Sequence, residues 1–310
     1  MTGAAFGQHL DEAAGRAGLT GTALVTAGDS TWQTGDIDAQ YVIYSITKSV
    51  IAAAFLLGEV DLDASASSLG GDDRFDAPVR HLLRHTSGIP DYGHNPAYHA
   101  AVRQSPSQPW SDEEFLWRAH ARGPLFAPGQ GWAYFNNGYP LLRQILDGRG
   151  GLAAFLPALG FTAATVAEDL PDFGGAVPAR SALIGDGLHP VAGRYHPGWV
   201  GHRTMVTSAR DLHRFWSGPP PAFTDPANLV PLGADTGGLF VHATYGLGVL
   251  ADPRSPIGLI IGHGGGGPGY SAGTFAAQGK AAAAIVLQPT EDFPAQELAI
   301  ELLTIAASQH

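Results

Sequence analysis

The segment that most restricts how this chain can fold is the run SITKSVIAAAFLLGEV at residues 45–60. After its first turn the run is apolar on nearly all sides, which is typical of a helix buried in a core rather than lying on a surface. The polar residues of the run are concentrated in that first turn and include a serine and a lysine. The sequence therefore predicts a buried helix over residues 45–60 with its polar groups at the N-terminal end.

Patterns typical of strands lie at both ends of the chain, on either side of a mainly helical middle section. A short helix is predicted over residues 6–16, before two strands joined by a turn at Gly28 and Asp29, the first of them at residues 22–26. Further helices are predicted at residues 79–85, 112–121, 139–146, 209–216 and 295–307, and further strands at residues 245–250, 257–262, 271–277 and 281–288. This order indicates an α+β fold, with one antiparallel sheet built from both termini, flanked by helices and carrying a helical insertion.

The composition supports one large folded core. Of the 310 residues, 45% are hydrophobic and 15% are charged, which supplies enough apolar side chain for a globular protein. We expect a single domain over residues 1–310. Its α/β part would span about residues 1–50 and 239–310 and its helical part about residues 51–238, with long loops at 91–108 and 217–238.

Charge and targeting signals limit the partners and the compartment. The 17 basic and 28 acidic side chains give a net charge of −11, which argues against binding to nucleic acid or to an anionic membrane surface. Residues 1–10 lack the basic and apolar regions of a secretory signal, and the longest apolar run is far shorter than the roughly 20 residues of a membrane span. We therefore expect a cytoplasmic protein without a membrane partner, in an oligomeric state that the sequence leaves open.

Neither a metal ion nor a cofactor is expected. The 13 histidines include no H-E-x-x-H pattern, and the absence of cysteine excludes disulfides and thiolate ligands. Gly262, Gly264 and Gly267 have the spacing of a dinucleotide-binding fingerprint, but a predicted strand follows them where a helix is required.

Ser45 and Lys48 begin the predicted buried helix at a spacing that places both side chains on one helix face. A serine hydroxyl is a weak nucleophile until a base takes its proton, and burial favours the uncharged form of a lysine amine. The free N–H groups at the start of a helix can also stabilise an oxyanion. The spacing of the two residues favours a nucleophile with its general base. The alternative is that this spacing arose by chance.

A second polar pair, Tyr134 and Asn136, lies in the stretch at residues 128–139. A phenol near the serine and the lysine could share the role of base or pass a proton to the leaving group, and the amide could bind both the lysine and a substrate carbonyl. A structural turn is the alternative, because Asn137 and Gly138 form a strong turn signal beside which aromatic residues commonly pack.

Directly after a predicted strand come His263 and the glycines Gly264, Gly265 and Gly266. Glycine lets a backbone approach a ligand closely because it has no Cβ. The N–H of Gly266 could then complete an oxyanion hole with that of Ser45. A flexible glycine loop at the end of a sheet is the alternative on these residues alone.

Six segments of the chain carry a resemblance to a known family. They are YSITK at 44–48, HLLRHTSGIPDY at 81–92, PGQGWAYFNNGY at 128–139, MVTSARDLHRF at 205–215, YGLG at 245–248 and GHGGGGPGYS at 262–271. In this order they resemble the serine β-lactamase-related family, which includes class C β-lactamases, D-alanyl-D-alanine carboxypeptidases, D-aminopeptidases and esterases. The resemblance implies a β-lactamase/transpeptidase-like fold with an active site between the sheet and the helical part.

The resemblance also implies roles for individual residues. Ser45 would be the acylated nucleophile, Lys48 and Tyr134 its partners in proton transfer, and Asn136 a substrate contact. The HTSG segment at residues 85–88 would brace a loop rather than take part in catalysis. The substrate would be a small molecule or a short peptide.

The last motif departs from the family pattern. His263, Gly264 and Gly265 stand where the family carries a substrate-binding Lys/His-Thr/Ser-Gly triplet, so Gly264 lacks the hydroxyl that helps to bind a substrate carboxylate. His263 also replaces the lysine of true β-lactamases. The resemblance therefore implies a serine hydrolase, esterase or D-aminopeptidase-like, that acts through an acyl-enzyme on an ester or small amide. A β-lactamase or D-alanyl-D-alanine carboxypeptidase is the alternative.

Two further classes remain open. Ser271 lies in a G-x-S-x-G pattern like that of α/β-hydrolases, but such a serine should sit on a strand-to-helix turn with the acid and histidine following it in the chain. A catalytically inactive binding module of the same fold is the other class, although a binding module would not need Ser45, Lys48 and Tyr134 together.

Overall fold

The computed structural model of the protein describes residues 3–233, 236 and 238–308. Its α-helices are α1 (Gly3–Ala17), α2 (Thr47–Leu57), α3 (Val79–Leu83), α4 (Pro96–Gln104), α5 (Asp112–His120), α6 (Gly138–Asp147), α7 (Ala209–Ser217) and α8 (Ala295–Ser308). Its strands are β1 (Thr22–Ala27), β2 (Ser30–Thr34), β3 (Tyr41–Val42), β4 (Thr165–Ala167), β5 (Arg180–Ser181), β6 (His189–Pro190), β7 (Thr204–Thr207), β8 (Val230–Pro231), β9 (Thr244–Tyr245), β10 (Leu250–Asp252), β11 (Ile260–Gly267), β12 (Tyr270–Ala277) and β13 (Ala282–Gln288). The ends of the predicted domain and part of the predicted loop at 217–238 lie outside the described residues.

An antiparallel sheet joins the two ends of the chain. Its strand order is β2-β1-β13-β12-β11-β10-β9-β8, so the N-terminal hairpin pairs directly with the last strand. In that pairing Thr22 lies opposite Leu287, and Ala27 lies opposite Ala282. This topology confirms the predicted α+β fold, in which both termini build one sheet.

The sheet separates two apolar cores. Side chains alternate between the two faces of a strand, and in β13 Ile285 and Leu287 enter one core whereas Ala284 and Val286 enter the other. Helices α1 and α8 cover the second face, while α2, α7 and the rest of the helical section cover the first. Strands β12 and β13 are buried along their whole length as a result.

Helix α2 is the buried helix expected from the sequence, with two corrections to its bounds. Nine of its 11 residues are buried, Lys48 among them. The residues Tyr44–Ile46 form a separate 3-10 turn instead of the first turn of the α-helix. The helix also ends at Leu57, because Glu59 adopts the left-handed conformation (φ 49°) that commonly terminates helices.

Two other predictions were wrong in part. The expected loop at 91–108 contains α4, whose start is specified by Pro96 in the first turn and by the Asn95 side chain, which accepts a hydrogen bond from a backbone N–H. The strand expected at 245–250 is two short strands, β9 and β10, on either side of a turn in which Gly248 has a φ of 70°.

The glycine run lies inside strand β11 rather than after it. Glycine is disfavoured in strands, which is why the sequence placed the strand's end too early. An added Cβ at Gly265 would lie 2.1 Å from the carbonyl oxygen of Ile43, and one at Gly264 would lie 2.0 Å from Oε1 of Gln296 in α8. The missing Cβ atoms thus let β11 pack closely against both the residues before α2 and α8.

We expect Gly265→Ala to lower the free energy of unfolding by about 2 kcal/mol or more, because its methyl group meets a backbone carbonyl that cannot rotate away. Urea unfolding would measure the change. Gly266→Ala is the matched control, since a Cβ at that position has nothing within 4 Å. Equal stability of the two variants would contradict this account of the glycine run.

Candidate active site

Ser45 lies in the 3-10 turn directly before α2. The preceding residue, Tyr44, has a φ of 44°, in the left-handed region that residues other than glycine rarely adopt. Its buried phenol donates a hydrogen bond to the carbonyl oxygen of Pro268 (2.6 Å), which ties the turn to the end of β11. A tertiary contact therefore holds the backbone directly before Ser45 in an unusual conformation, as is common at functional sites.

Lys48 lies one turn after Ser45 and contacts it. Its Nζ atom is 3.0 Å from Ser45 Oγ and donates a hydrogen bond to Asn136 Oδ1 (2.8 Å). The same atom lies 5.1 Å from the centre of the Tyr134 ring. Burial lowers the pKa of Lys48 to about 7, and the charge of Asp91 acts in the opposite direction. Near neutral pH a large fraction of the amine is therefore unprotonated and able to accept the serine proton.

Tyr134 lies in the segment before α6 and lines the same cavity as Ser45. Burial raises the pKa of Tyr134, with the Ser45 hydroxyl opposing that shift. The phenol therefore keeps its proton at neutral pH and can relay one. The imidazole of His85 packs against its ring, with the ring centres 4.3 Å apart. His85 is fully buried, consistent with the bracing role expected for its segment.

Asp91 is a residue of the site that the sequence analysis did not single out. Its Oδ1 atom accepts hydrogen bonds from the backbone N–H (2.7 Å) and the side-chain amide (3.0 Å) of Asn136. These contacts turn the amide oxygen of Asn136 toward Lys48. Asp91 closes the segment HLLRHTSGIPDY that carried part of the resemblance, which is the signal that could have identified it.

One cavity of about 430 Å³ is lined by Ser45, Asp91, Tyr134 and Asn136. Its described lining comprises Tyr44, Ser45, Asp91, Tyr92, Gly93, His94, Tyr98, His99, Val102, Tyr134, Asn136, Leu183, Tyr195, Val200, His202, Gly266, Gly267 and Pro268. No lysine or arginine is among these described lining residues, and Asp91 is the one carboxylate. The cavity therefore holds one carboxylate, whose Oδ2 atom lies 3.0 Å from Nδ1 of the exposed His94 ring, and the rest of its lining is mainly aromatic and aliphatic.

Three expected substrate contacts do not line this cavity. His263 is buried, with Nε2 2.9 Å from the Tyr245 hydroxyl and Nδ1 hydrogen-bonded to the carbonyl oxygen of Gly264. Burial, and secondarily the Lys48 charge, lower the pKa of His263 to about 3, so the ring is neutral. Gly264 and Gly265 pack against α8 and the residues before α2. The structure shows packing contacts for these residues outside the lining of the cavity, and their role as substrate contacts stays a prediction.

Gly266 lies in the cavity wall with its amide free for a ligand. Because Gly267 and Tyr270 flank the two-residue turn between β11 and β12, they form a hydrogen-bonded pair, and the next pair, Gly266 and Ser271, is not hydrogen-bonded. The N–H of Gly266 therefore points away from β12. Strand β10 does not use it either, because its pairing with β11 stops at Gly262.

The alternative nucleophile is not supported. Ser271 lies within β12, between β11 and β13, whereas a nucleophile elbow requires a turn from a strand into a helix. Ser271 is also not among the described residues that line the cavity. The α/β-hydrolase interpretation is therefore wrong.

No set of three or more histidine, aspartate or glutamate side chains within residues 3–233, 236 and 238–308 could hold a metal ion. None of the helices in this described part of the chain has the length and apolar character needed to cross a membrane.

The fold and the grouping of serine, lysine and tyrosine define the class of protein as serine hydrolases of the β-lactamase fold. The Beta-lactamase family model matches residues 7–306, and the chain belongs to this family. The structure is similar to that of a D-stereospecific amidohydrolase from Streptomyces sp., with a TM-score of 0.76 and 25% identity over 95% of this chain and 96% of that one.

Two further relatives extend the comparison. The D-amino acid amidase of Ochrobactrum anthropi SV3, complexed with D-phenylalanine, shares the fold with a TM-score of 0.73 and 21% identity over 98% of this chain and 97% of that one. Penicillin-binding protein 4* of Bacillus subtilis (strain 168) is 33% identical over 93 residues, which make up 26% of this chain and 19% of that protein. The chain thus matches less than a fifth of the length of this curated relative.

We expect the kcat/KM for a neutral ester to rise with pH through about 7, because only the unprotonated amine of Lys48 can accept the serine proton. Lys48→Arg should be nearly as inactive as Lys48→Ala, since a guanidinium stays protonated at these pH values. A profile measured between about pH 5 and 9 checks both expectations. A flat profile, or a near-normal rate for Lys48→Arg, would contradict the role of Lys48 as base.

Proposed function

We propose that the protein is a serine hydrolase that cleaves amides or esters of amino acids through a covalent acyl-enzyme. The observation that carries the substrate class is the buried Asp91 carboxylate in the wall of the cavity that holds Ser45. Asn136 connects this carboxylate to the Ser45–Lys48 pair, so an ammonium group bound there would lie close to the reacting carbonyl. An α-amino group has this relation to the carbonyl of an amino-acid derivative.

In the acylation step, Lys48 takes the proton of Ser45 while Oγ attacks the carbonyl carbon. The N–H groups of Ser45 and Gly266 stabilise the negative charge that develops on the carbonyl oxygen. Tyr134 gives its proton to the leaving amine or alcohol and recovers one from Lys48. The bond to the leaving group therefore breaks without leaving a negative charge on the leaving group or on Tyr134. The acid is then released by the attack of water on the acyl-serine.

The shape of the cavity supports an apolar side chain on the substrate. The lining of the cavity also includes Val102, Val200 and Leu183, of which Leu183 is 42% exposed. The aromatic rings of Tyr98 and Tyr195 line the cavity as well. A cavity of about 430 Å³ has the size usual for small-molecule sites, which are mostly apolar with a few fixed polar groups. The named activities of the similar amidohydrolase and amidase agree with this class.

The β-lactamase and carboxypeptidase alternatives suit the cavity less well. Their substrates carry a carboxylate, which would meet the negative charge of Asp91 and find no cationic side chain among the described lining residues. Gly264 also supplies no hydroxyl for that carboxylate. The charge of the cavity thus favours a cationic over an anionic substrate.

We expect Ser45→Ala to abolish hydrolysis of p-nitrophenyl esters and the acyl adduct seen by mass spectrometry, because the nucleophilic oxygen is removed. Ser271→Ala is the matched control and should retain both, since that serine is outside the described lining of the cavity. If the wild type forms no adduct with any acyl donor, the inactive binding module becomes the better interpretation.

We expect Asp91→Asn to lower the preference for an amino-acid amide over its N-acetylated counterpart by at least about tenfold, because the acetyl group removes the charge that Asp91 would bind. The ratio of kcat/KM for the two substrates measures this preference in one variant and is insensitive to the amount of active enzyme. Asp29→Asn, at an exposed turn, is the control variant. An unchanged ratio in Asp91→Asn would exclude ammonium binding at this carboxylate while leaving the nucleophile assignment intact.

A further inference from the structure

The two oxygen atoms of the Asp91 carboxylate have different partners. Oδ1 accepts two hydrogen bonds from Asn136, one from its backbone N–H (2.7 Å) and one from its side-chain amide (3.0 Å). Among the described residues, Oδ2 has a single partner, which is Nδ1 of His94 at 3.0 Å. Because an ionised carboxylate only accepts hydrogen bonds, this nitrogen is the donor. An ammonium group that pairs with Asp91 would therefore bind at Oδ2, the atom that His94 occupies.

The imidazole of His94 lies at the surface, whereas the carboxylate that it contacts is buried. The His94 side chain is 83% exposed and that of Asp91 is 8% exposed. Both residues line the cavity that holds Ser45. A carboxylate oxygen can accept a second hydrogen bond, but with the ring in place little of the carboxylate is open to a ligand. Direct contact between an ammonium group and Oδ2 therefore requires the His94 ring to move.

Only the side chain of His94 has to move, because the backbone on both sides of it is held. The carbonyl oxygen of Gly93 lies 2.7 Å from Nε2 of His99, and the N–H of Asn95 donates a hydrogen bond to the carbonyl oxygen of Tyr92 (2.9 Å). The His94 ring itself has one hydrogen bond within the described residues, the one to Asp91. Ion pairs and hydrogen bonds of exposed side chains contribute little to stability, so this contact is easily broken.

Gly93 also leaves Oδ2 without a side chain on one side. A Cβ at this position would lie 2.8 Å from Oδ2 of Asp91 and 3.1 Å from Nδ2 of Asn136. Gly93 is itself part of the described lining of the cavity. The His94 ring is thus the side chain that limits access to Oδ2 from the segment directly after Asp91.

We propose that His94 is a specificity-determining residue whose ring occupies the ammonium site of Asp91 until a cationic substrate displaces it. The inference rests on the proposed function, because it concerns how the amino group of that substrate reaches Asp91. A cationic substrate pairs with Oδ2 and packs against the apolar lining of the cavity at the same time, so it replaces an exposed ring that makes one weak contact. A neutral substrate makes no such exchange and leaves the ring on the carboxylate. His94 therefore lowers the affinity for the ammonium group without affecting neutral ligands.

Binding to the Ser45→Ala variant tests this proposal without turnover. The ligands are each enantiomer of phenylalaninamide and its N-acetyl derivative, and calorimetry gives the Kd. Adding His94→Ala should tighten the binding of phenylalaninamide about threefold, because the competing contact is removed, and should leave the Kd of the N-acetyl derivative unchanged. His242→Ala removes another exposed histidine, outside the described lining of the cavity, and as the matched control it should change neither Kd.

Combination with Asp91→Asn separates competition at the carboxylate from a general effect on the cavity. Asparagine has no charge to bind an ammonium group, so in this background His94→Ala has no site to free. We therefore expect His94→Ala to leave the Kd of phenylalaninamide unchanged there, a non-additivity that is typical of residues in contact. A threefold gain that persists with Asp91→Asn would overturn the proposal, because His94 would then act independently of Asp91.

The outcomes are distinguishable from a failure of the proposed function. If Ser45→Ala binds both ligands equally and Asp91→Asn changes neither Kd, the ammonium site at Asp91 is wrong, and the proposal for His94 is overturned with it. If Asp91→Asn weakens phenylalaninamide alone but His94→Ala leaves its Kd unchanged or raises it, the substrate class stands and His94 does not compete for the site. Tighter binding of both ligands in His94→Ala would also overturn the proposal, because the ring would then obstruct the cavity rather than occupy the ammonium site.

Discussion

The arrangement of the other side chains in the site depends on one constraint, which is the burial of the Lys48 amine beside Ser45. A buried ammonium group normally requires a carboxylate in direct contact. Lys48 contacts a hydroxyl and an amide oxygen instead, and the Asn136 side chain separates it from the Asp91 carboxylate. The amide orients the amine without placing a full negative charge against it. The pKa of Lys48 therefore stays low enough for the amine to act as a base near neutral pH.

The groups around Ser45 come from two parts of the molecule, the helical part and the sheet, which approach each other closely here. Ser45 belongs to the helical side of the molecule, whereas Gly266 belongs to the sheet, more than 200 residues later in the chain. The two meet because Gly265 leaves room for the carbonyl of Ile43 and because Tyr44 is hydrogen-bonded to the end of β11. The packing of Gly265 against the backbone thus brings Gly266 into the same cavity as Ser45, where their N–H groups are proposed to bind the oxyanion.

The sequence predicts those parts of the structure that depend on local spacing. Ser45 and Lys48 are three residues apart, so their proximity follows from helical geometry, and the sheet follows from strand patterns at both ends. Asp91 could not be assigned in this way, because its partner Asn136 comes from a distant segment, and only its place in the family-like segment at residues 81–92 pointed to it. The end of strand β11 was predicted too early for a different reason, since tertiary packing overrides the low strand propensity of its glycines.

In the proposed reaction the walls of the cavity, and not the Ser45–Lys48 pair, would distinguish one substrate from another, because the pair could attack any accessible ester or amide carbonyl. In that reaction Asp91 would do more than attract a cation, since its charge also raises the pKa of Lys48 against the effect of burial. An ammonium group bound at Asp91 would offset that charge and so favour the unprotonated amine. A cationic substrate would therefore increase the fraction of active base as it binds, whereas a neutral ester would not. In the proposed function, substrate recognition and activation of Ser45 would thus be coupled through one carboxylate.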